Sequence, residues 1–311
     1  MSLAERAKAL VELSRPPFLL VGLFPFAAGL ALAEMQGFRA APGLSMLSAV
    51  GLTLIMLATY YSNEYFDYQG DVINVNRNRF SGGTRVFPEG RLPRAVGLQA
   101  LAASLTLLAS LLALYVYLYF SSRPLLLPMA LAGVLMGVLY SAPPGRWAYR
   151  GLGEVLIGIA YGWLATVSGY YVAAGSIPWQ ATVLSLPAAF SIFAVIVVNE
   201  FPDYEADRVV SKRNLVVRLG GPFRARYLYA AAVAASAVSA VYASLSLSGS
   251  LIAALITAAL YTPLAFAAAY MSMKDEVLAD TKGRLERLCA LTIVLNLVAP
   301  YSVLIPYVLL R

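Results

Sequence analysis

Long apolar stretches separated by short polar segments dominate this chain. A helix needs roughly 20 apolar residues to cross the hydrocarbon core of a bilayer. Nine stretches approach that length, over approximately 17–35, 44–66, 95–120, 124–141, 152–174, 180–200, 224–246, 249–272 and 288–310. The pattern predicts an all-α, polytopic membrane protein with nine transmembrane helices.

The basic residues support this count because they lie in alternate connecting segments. All Lys and Arg except Arg39, Arg123 and Arg311 fall before the first predicted span or after spans 2, 4, 6 and 8. Loops rich in Lys and Arg stay in the cytoplasm. We therefore predict a multi-pass plasma-membrane protein with a cytoplasmic N-terminus and an external C-terminus. The net charge of +7 then reflects topology and not nucleic-acid binding.

Composition excludes several kinds of chemistry. The 311 residues are 60% hydrophobic and 13% charged, and they contain no histidine and a single cysteine, Cys289. Ser-His-Asp catalysis, His-ligated haem and the usual histidine-containing zinc sites are therefore excluded. An intrachain disulfide is excluded as well, and nothing in the sequence implies an obligate protein partner.

One acidic motif occurs twice, at residues 63–71 and 199–207. The copies read NEYFDYQGD and NEFPDYEAD, and five of the nine positions are identical. Four predicted spans separate them, so both copies lie at the cytoplasmic face. We interpret the whole chain, 1–311, as a single domain with an internal repeat.

The spacing within each copy suggests a metal site. Residues at i, i+4 and i+8 share one helix face, which gives two columns of one amide and two carboxylates. The columns consist of Asn63, Asp67 and Asp71, and of Asn199, Asp203 and Asp207. Facing carboxylates repel unless a cation compensates them, and oxygen ligands beside a phosphate favour Mg²⁺. The alternative is that these acids are only solvating charges at helix ends.

Basic residues follow each copy, as recognition of a diphosphate would require. Arg77 and Arg79 follow the first copy within the stretch NRNRFSGGTR, and Lys212 and Arg213 follow the second. Arginine and lysine bind phosphate oxygens that metal ions leave free. The alternative for these cations is binding to anionic lipid at the inner leaflet.

At these residues the sequence resembles the UbiA superfamily of intramembrane aromatic prenyltransferases. The resemblance rests on the two N-x₃-D-x₃-D motifs and extends to RPP at 15–17, YSAPP at 140–144, YRGLGE at 149–154 and VRLG at 217–220. It implies nine helices around a central cavity, capped on the cytoplasmic side by the loops that follow spans 2 and 6.

The resemblance also implies an activity. The stretches SGGTR at 81–85, YRGLGE at 149–154 and GYYV at 169–172 are most similar to the MenA branch, which prenylates 1,4-dihydroxy-2-naphthoate in menaquinone synthesis. Within the superfamily, 4-hydroxybenzoate and geranylgeranylglyceryl phosphate prenyltransferases remain alternatives. A transporter is the alternative from another class, because intramembrane acids and repeats also occur in carriers.

The implied substrates are a prenyl diphosphate, an aromatic small molecule and, as the medium of the reaction, the lipid bilayer. The two Asn and four Asp side chains would bind Mg²⁺ and, through it, the diphosphate. Arg15, Arg146 and Lys212 are candidates for holding the diphosphate or a carboxylate of the acceptor. Tyr140 is a candidate for stabilising an allylic carbocation, because aromatic faces attract cations.

Overall fold

The computed structural model describes residues 2–310, and all regular structure within that range is helical. Fifteen α-helices, α1 to α15, run over Leu3–Leu13, Pro16–Met35, Pro42–Phe66, Tyr68–Ile73, Ala95–Tyr119, Leu126–Val138, Gly153–Ile157, Ala165–Ala174, Trp179–Asn199, Tyr204–Val209, Leu215–Arg218, Pro222–Ser248, Leu251–Ser272, Asp275–Ala279 and Arg284–Leu309. A 3₁₀ turn covers Trp147–Arg150, and a π-helical turn over Gly158–Leu164 joins α7 to α8. The all-α, polytopic fold is confirmed.

The fourth predicted span is shorter than expected. Among residues 2–310, eight helical segments are long and apolar enough to cross a membrane, whereas α6 has 13 residues. It still connects the two ends of the bundle: the backbone N–H of Leu125 donates to Tyr171 at the end of α8, and the Val138 carbonyl accepts from Ser62 at the end of α3. Prolines 143 and 144 then prevent the helix from continuing.

A break separates α1 from the first span, which begins at Pro16, one residue before its predicted start. Helix α1 ends at Leu13, and Arg15 adopts a left-handed conformation (φ 46°) before α2 begins at Pro16. A residue that precedes proline is disfavoured in the α region, and proline is favoured at the first position of a helix. The break directs the Arg15 side chain away from the helix axis, towards the end of α3.

Glycines allow α2 and α8 to pack in direct backbone contact. A Cβ on Gly29 would lie 1.9 Å from the carbonyl oxygen of Thr166, and a Cβ on Gly169 would lie 1.9 Å from that of Phe26. Small residues at helix interfaces permit this approach in membranes. This close contact fixes the position of α8 and of the preceding π-helical turn, which contains Tyr161.

Candidate active site

The two motif copies meet at one end of the bundle. Asp67 directly follows α3 and Asp71 lies on α4, while Asp203 precedes α10 and Asp207 lies on it. All four aspartates line one cleft of about 260 Å³. The structure therefore brings together the acids that the repeated motif singled out.

Loops hold two of these aspartates in fixed orientations. Asp67 accepts hydrogen bonds from the Ser141 hydroxyl at 2.8 Å and from the Tyr149 hydroxyl at 2.9 Å. Asp203 accepts from the Asn74 amide at 2.6 Å and from the backbone N–H of Gly82 at 3.2 Å. The loop that follows the first motif thus orients an acid of the second.

A largely buried lysine, with 14% of its side chain exposed, lies between the two motifs. The Nζ atom of Lys212 is 3.5 Å from Asp207 and 3.9 Å from Asp67. Asp207 also accepts from the Asn214 amide at 2.7 Å. Asp71 lies against Gly83, where a Cβ would be 2.2 Å from the carboxylate, so a side chain at this position would collide with the acid.

The electrostatics of the cleft reflect this crowding. Burial raises the pKa of Asp71, and the neighbouring Glu64 and Asp67 raise it further. Burial also raises the pKa of Asp207 to about 7, against the opposing effect of Lys212. For Lys212, burial alone would lower the pKa, but Asp207 and Asp67 outweigh it and raise the pKa well above its usual value. Burial and crowding therefore disfavour the ionised forms of these acids unless a further positive charge is bound beside them.

Two amide oxygens at the cleft are left without partners. Oδ1 of Asn63 and Oδ1 of Asn199 are buried and accept no hydrogen bond. A buried oxygen without a partner is costly unless a ligand completes it. Both asparagines line a second cavity of about 950 Å³, together with Asp67, Asp71 and Asp203. We call it the mixed cavity, because apolar residues such as Val21 and Ile192 line it as well. These amide and carboxylate oxygens are the donor set that Mg²⁺ prefers.

The described residues, 2–310, contain no group of three carboxylate, histidine or cysteine side chains close enough to form a metal site by themselves. Magnesium usually takes one or two protein carboxylates and completes its shell with water and substrate phosphate oxygens. The separated aspartates and unpartnered amides therefore fit ions that bind together with a diphosphate, and do not fit an ion held by the protein alone.

A third, apolar cavity continues from the second one. Its volume is about 940 Å³, and it lies between α2, α3, α5, α6 and the 153–174 segment. Thr59, Ile157 and Tyr161 line both cavities. The four-aspartate cleft, the mixed cavity and the apolar cavity thus form a series from one end of the bundle towards the other.

Comparison with known proteins decides the family. Residues 22–285 match the model of the UbiA prenyltransferase family. The chain belongs to the UbiA prenyltransferase family. This confirms the resemblance inferred from the two acidic motifs.

Curated UbiA-family relatives differ in the substrates that their names state. The chain is 26% identical to 1,4-dihydroxy-2-naphthoate octaprenyltransferase of Bacillus subtilis, over 67% of this chain and 65% of that protein. It is 32% identical to digeranylgeranylglyceryl phosphate synthase of Halobacterium salinarum, over 70% and 71% of the two chains. The match spans slightly less than two thirds of the Bacillus protein.

A solved structure shares the UbiA fold. The UbiA homolog from Archaeoglobus fulgidus, solved with DMAPP and Mg²⁺, superposes with a TM-score of 0.63 at 18% identity and covers 94% of this chain and 98% of that one. The likeness confirms the fold.

Two of the predicted cationic residues lie at the mixed cavity of this UbiA-family chain. Arg15 and Lys212 line the mixed cavity. Arg15 also forms an ion pair with the buried Glu64, donating through both Nε and Nη2, and Thr84 donates to the same carboxylate. Glu64 thereby ties the start of α2 to the end of α3 and to the loop that follows.

The other predicted cations lie outside the cavity lining. They are Arg77, Arg79, Arg146 and Arg213. The guanidinium of Arg146 lies 3.9 Å from the centre of the Tyr149 ring, and the backbone N–H of Arg79 donates to Glu286 at 3.2 Å. These four cations line neither the four-aspartate cleft nor the mixed cavity. Tyr140, the predicted carbocation-stabilising residue, does line the mixed cavity.

Several residues that orient the acids were not identified from the sequence. Ser141 and Tyr149 lie within the stretches that carried the family resemblance, so their sequence context was a usable signal. Asn214 directly follows the basic pair after the second motif. Asn74 had no local signal, because its partner Asp203 is 129 residues away.

Proposed function

We propose that this UbiA-family chain transfers a polyprenyl group from a prenyl diphosphate to an aromatic acceptor, in a reaction that requires Mg²⁺. The preferred acceptor is 1,4-dihydroxy-2-naphthoate, because a curated relative carries that name and because the SGGTR and GYYV stretches resemble the MenA branch. Prenyl donor and Mg²⁺ are supported by the ligands named for the Archaeoglobus homolog.

One observation carries this proposal. Four aspartates and two unpartnered amide oxygens surround a region that continues into an apolar cavity. A prenyl diphosphate has the same division, with an anionic head and an apolar tail. Asp67, Asp71, Asp203 and Asp207 would hold the metal ions, with Asn63 and Asn199 as further ligands.

The reaction begins with cleavage of the allylic C–O bond, whose electron pair leaves with the diphosphate. Bound Mg²⁺ supplies charge neutralisation to that leaving group. Lys212 lies between Asp67 and Asp207, where its ammonium adds a second positive charge. Preorganised charge of this kind stabilises a transition state more than the ground state.

The allylic cation then meets aromatic side chains and the acceptor. Phe18, Tyr60, Tyr140 and Tyr161 line the mixed cavity, and the electron-rich faces of such rings stabilise cations. A ring carbon of the acceptor forms the new C–C bond. The resulting arenium ion loses a proton or, from a naphthoate acceptor, carbon dioxide, and thereby regains aromaticity.

We also propose the orientation that the basic loops predict. The N-terminus and the four-aspartate cleft face the cytoplasm of a plasma-membrane protein, with the C-terminus outside. A water-soluble diphosphate head and an aromatic acid then reach the cleft from the aqueous side. The apolar cavity lies among the membrane-spanning helices, beyond the mixed cavity.

A second acceptor has a specific observation in its favour. The Halobacterium relative, at 32% identity, is named for digeranylgeranylglyceryl phosphate synthesis. Membership of the prenyltransferase family and the position of the acids at helix ends favour either acceptor over the transporter alternative.

The test is a matrix of donors and acceptors. Purified protein in lipid nanodiscs receives geranyl, farnesyl or geranylgeranyl diphosphate with 1,4-dihydroxy-2-naphthoate, 4-hydroxybenzoate or geranylgeranylglyceryl phosphate, and products are identified by mass spectrometry. We expect a prenylated naphthalene product that requires Mg²⁺ and disappears with EDTA. A product formed with the glyceryl phosphate alone would replace the naphthoate assignment, and no product with any pair would overturn prenyl transfer.

A further inference from the structure

The loop that follows the first motif holds both oxygens of the Asp203 carboxylate. The Asn74 amide donates to Oδ1 at 2.6 Å, and the backbone N–H of Gly82 donates to Oδ2 at 3.2 Å. The two donors are eight residues apart in the chain. The orientation of this carboxylate therefore depends on the shape of the loop, which must be fixed by contacts of its own.

Asn78 fixes the shape of the loop between these two donors. It is 4% exposed, and its Oδ1 accepts from the backbone N–H of Phe80 at 2.9 Å. Its own backbone N–H donates to the Ser81 hydroxyl at 3.0 Å. Asparagine side chains often bond to backbone groups two residues later and so stabilise turns. The two bonds hold the chain directly before Gly82.

The Asn78 side chain also attaches the loop to the turn before the last helix. Its Nδ2 donates to the carbonyl of Thr281 at 3.2 Å, between α14 and α15. Within the same turn, Asp280 accepts from the backbone N–H groups of Gly283 and Arg284 at 3.0 and 2.9 Å. Because these bonds hold the turn in place, the Thr281 carbonyl is a fixed acceptor for the loop.

Helix α15 connects this loop to the helix that carries the second motif. The backbone N–H of Arg79 donates to Glu286 of α15 at 3.2 Å. Three residues further along α15, the Sγ atom of Cys289 lies 3.8 Å from the Asn78 amide and 3.8 Å from the Val198 carbonyl. Val198 lies on α9 and directly precedes the second motif. The loop and the end of α9 are thus both held against α15.

We propose that Asn78 is a positioning residue for the metal ions that bind the diphosphate, and that it acts through Asp203. The inference rests on the proposed prenyl transfer and deepens its metal site. Asn78 lines neither the four-aspartate cleft nor the mixed cavity. By docking the loop on the α14–α15 turn, it keeps Asn74 and Gly82 where they orient the carboxylate before the ions bind. Replacing a residue that orients a metal ligand commonly lowers metal affinity or activity by about 10- to 100-fold.

The loop offers variants that separate docking from local turn formation. Asn78→Ala removes both the acceptor for Phe80 and the donor to Thr281. Asn78→Asp keeps the turn acceptor, but places an oxygen where the amide donated to the Thr281 carbonyl. Glu286→Ala removes the acceptor for the backbone of Arg79 and weakens the same docking at a second point. Asn76→Ala is the matched control, because Asn76 lies in the same loop, is exposed and lines neither cavity.

The experiment measures metal binding without turnover. Purified protein in lipid nanodiscs is titrated with Mn²⁺, which accepts oxygen ligands as Mg²⁺ does, in the presence of farnesyl thiodiphosphate, a donor analogue that resists cleavage. Electron paramagnetic resonance measures free Mn²⁺. Both Asn78 variants should raise the Kd of Mn²⁺ by about tenfold, and Glu286→Ala, which loses a single hydrogen bond, by about threefold. Asn76→Ala should stay within about twofold of the parent chain.

Two further readouts distinguish positioning from a general loss of structure. In steady-state assays, Asn78→Asp should raise the KM of the prenyl diphosphate and leave the KM of the acceptor unchanged, whereas a loosened bundle would change both. In an Asp203→Asn background, adding Asn78→Ala should raise the Kd of Mn²⁺ by less than about twofold, because the residue through which Asn78 acts is already altered.

The outcomes separate this inference from the proposed function. A Kd of Mn²⁺ for Asn78→Ala within about twofold of that for Asn76→Ala would overturn the inference, and so would a full tenfold effect in the Asp203→Asn background. Prenyl transfer would stand in either case. A parent chain that binds no Mn²⁺ with the diphosphate analogue would instead overturn the proposed function. If Asn78→Ala does not fold, Asn78→Asp and Glu286→Ala decide.

Discussion

Replacement of Lys212 by methionine tests the electrostatics of the cleft most directly. Lys212 is a largely buried cation between Asp67 and Asp207, with its Nζ atom 3.9 and 3.5 Å from their carboxylates. At an effective dielectric constant near 20, each contact has a Coulomb energy of about 4–5 kcal/mol. Desolvation of the ammonium offsets much of this, so we expect a net loss of about 3 kcal/mol, at the low end for a broken buried pair.

The effect should depend on metal. In EDTA, Lys212→Met leaves the carboxylates uncompensated, and we expect Tm to fall by roughly 6 °C, taking about 2 °C for each kcal/mol. Added Mg²⁺ supplies the missing positive charge, so it should raise the Tm of this variant by more than that of the parent chain. Thermal unfolding of the protein in detergent, followed by intrinsic tryptophan fluorescence, measures both shifts. Turnover should fall by about 10²-fold, because a preorganised charge near the leaving group is lost.

Arg208→Met is the matched control for this experiment. Arg208 is an exposed cation on α10 whose ion pair with Glu205 is also exposed. Exposed pairs contribute about 0–1 kcal/mol, so its Tm should remain within a degree or two of the parent value in both conditions. If Lys212→Met behaved like Arg208→Met, with no loss in EDTA and no added response to Mg²⁺, the conclusion that these carboxylates need a compensating positive charge would be refuted.

Three further predictions concern the metal ligands and the helix packing. Asp207→Ala should reduce Mg²⁺-dependent prenyl transfer by at least about 10²-fold in a folded protein. The control Glu205→Gln, at an exposed acid, should keep near-normal turnover, and near-normal turnover of Asp207→Ala would contradict the metal assignment. Asn199→Leu should leave the free energy of unfolding nearly unchanged, because its Oδ1 has no partner to lose, and should raise the Mg²⁺ concentration for half-maximal activity by about tenfold. Its control Asn214→Leu breaks hydrogen bonds of 2.7 and 2.8 Å and should lower the free energy of unfolding by about 1–3 kcal/mol. Equal shifts in Tm for the two variants would argue against an open ligand position at Asn199. Gly29→Ala places a methyl group 1.9 Å from the Thr166 carbonyl oxygen, so it should lower the free energy of unfolding by about 3 kcal/mol. A thermal-shift assay measures the change, and an unchanged Tm would show that α2 and α8 can move apart without cost.

The sequence predicted the meeting of the two motifs because only an even number of membrane crossings between them was required. Four spans between the copies return the chain to the same face. The number of crossings does not depend on exact helix lengths. The prediction is therefore unaffected by the short helix α6, whose 13 residues fall below the usual length of a span. The prediction that each amide shares one helix face with two acids was wrong in detail, because α3 ends at Phe66 and α9 at Asn199, so Asp71 and Asp207 lie on separate short helices.

The sequence could not predict which groups orient each acid. Asn74 reaches Asp203 across 129 residues and Tyr149 reaches Asp67 across 82, through loops whose paths depend on tertiary packing. Arg15 was predicted to hold substrate, and its engagement with Glu64 follows from the backbone break before Pro16. Hydropathy likewise marks a residue as apolar without stating whether it faces lipid, a neighbouring helix or an internal cavity.

The contact of Asn74 and Gly82 with Asp203 has a consequence for how the two halves can change over time. An acid of the later motif depends on the chain that follows the earlier one, so the halves are no longer autonomous modules. A chimera that imports only the later half from a relative would receive Asp203 without the loop that orients it. Exchange between relatives should therefore succeed only when the segment from 74 to 82 travels with its distant partner.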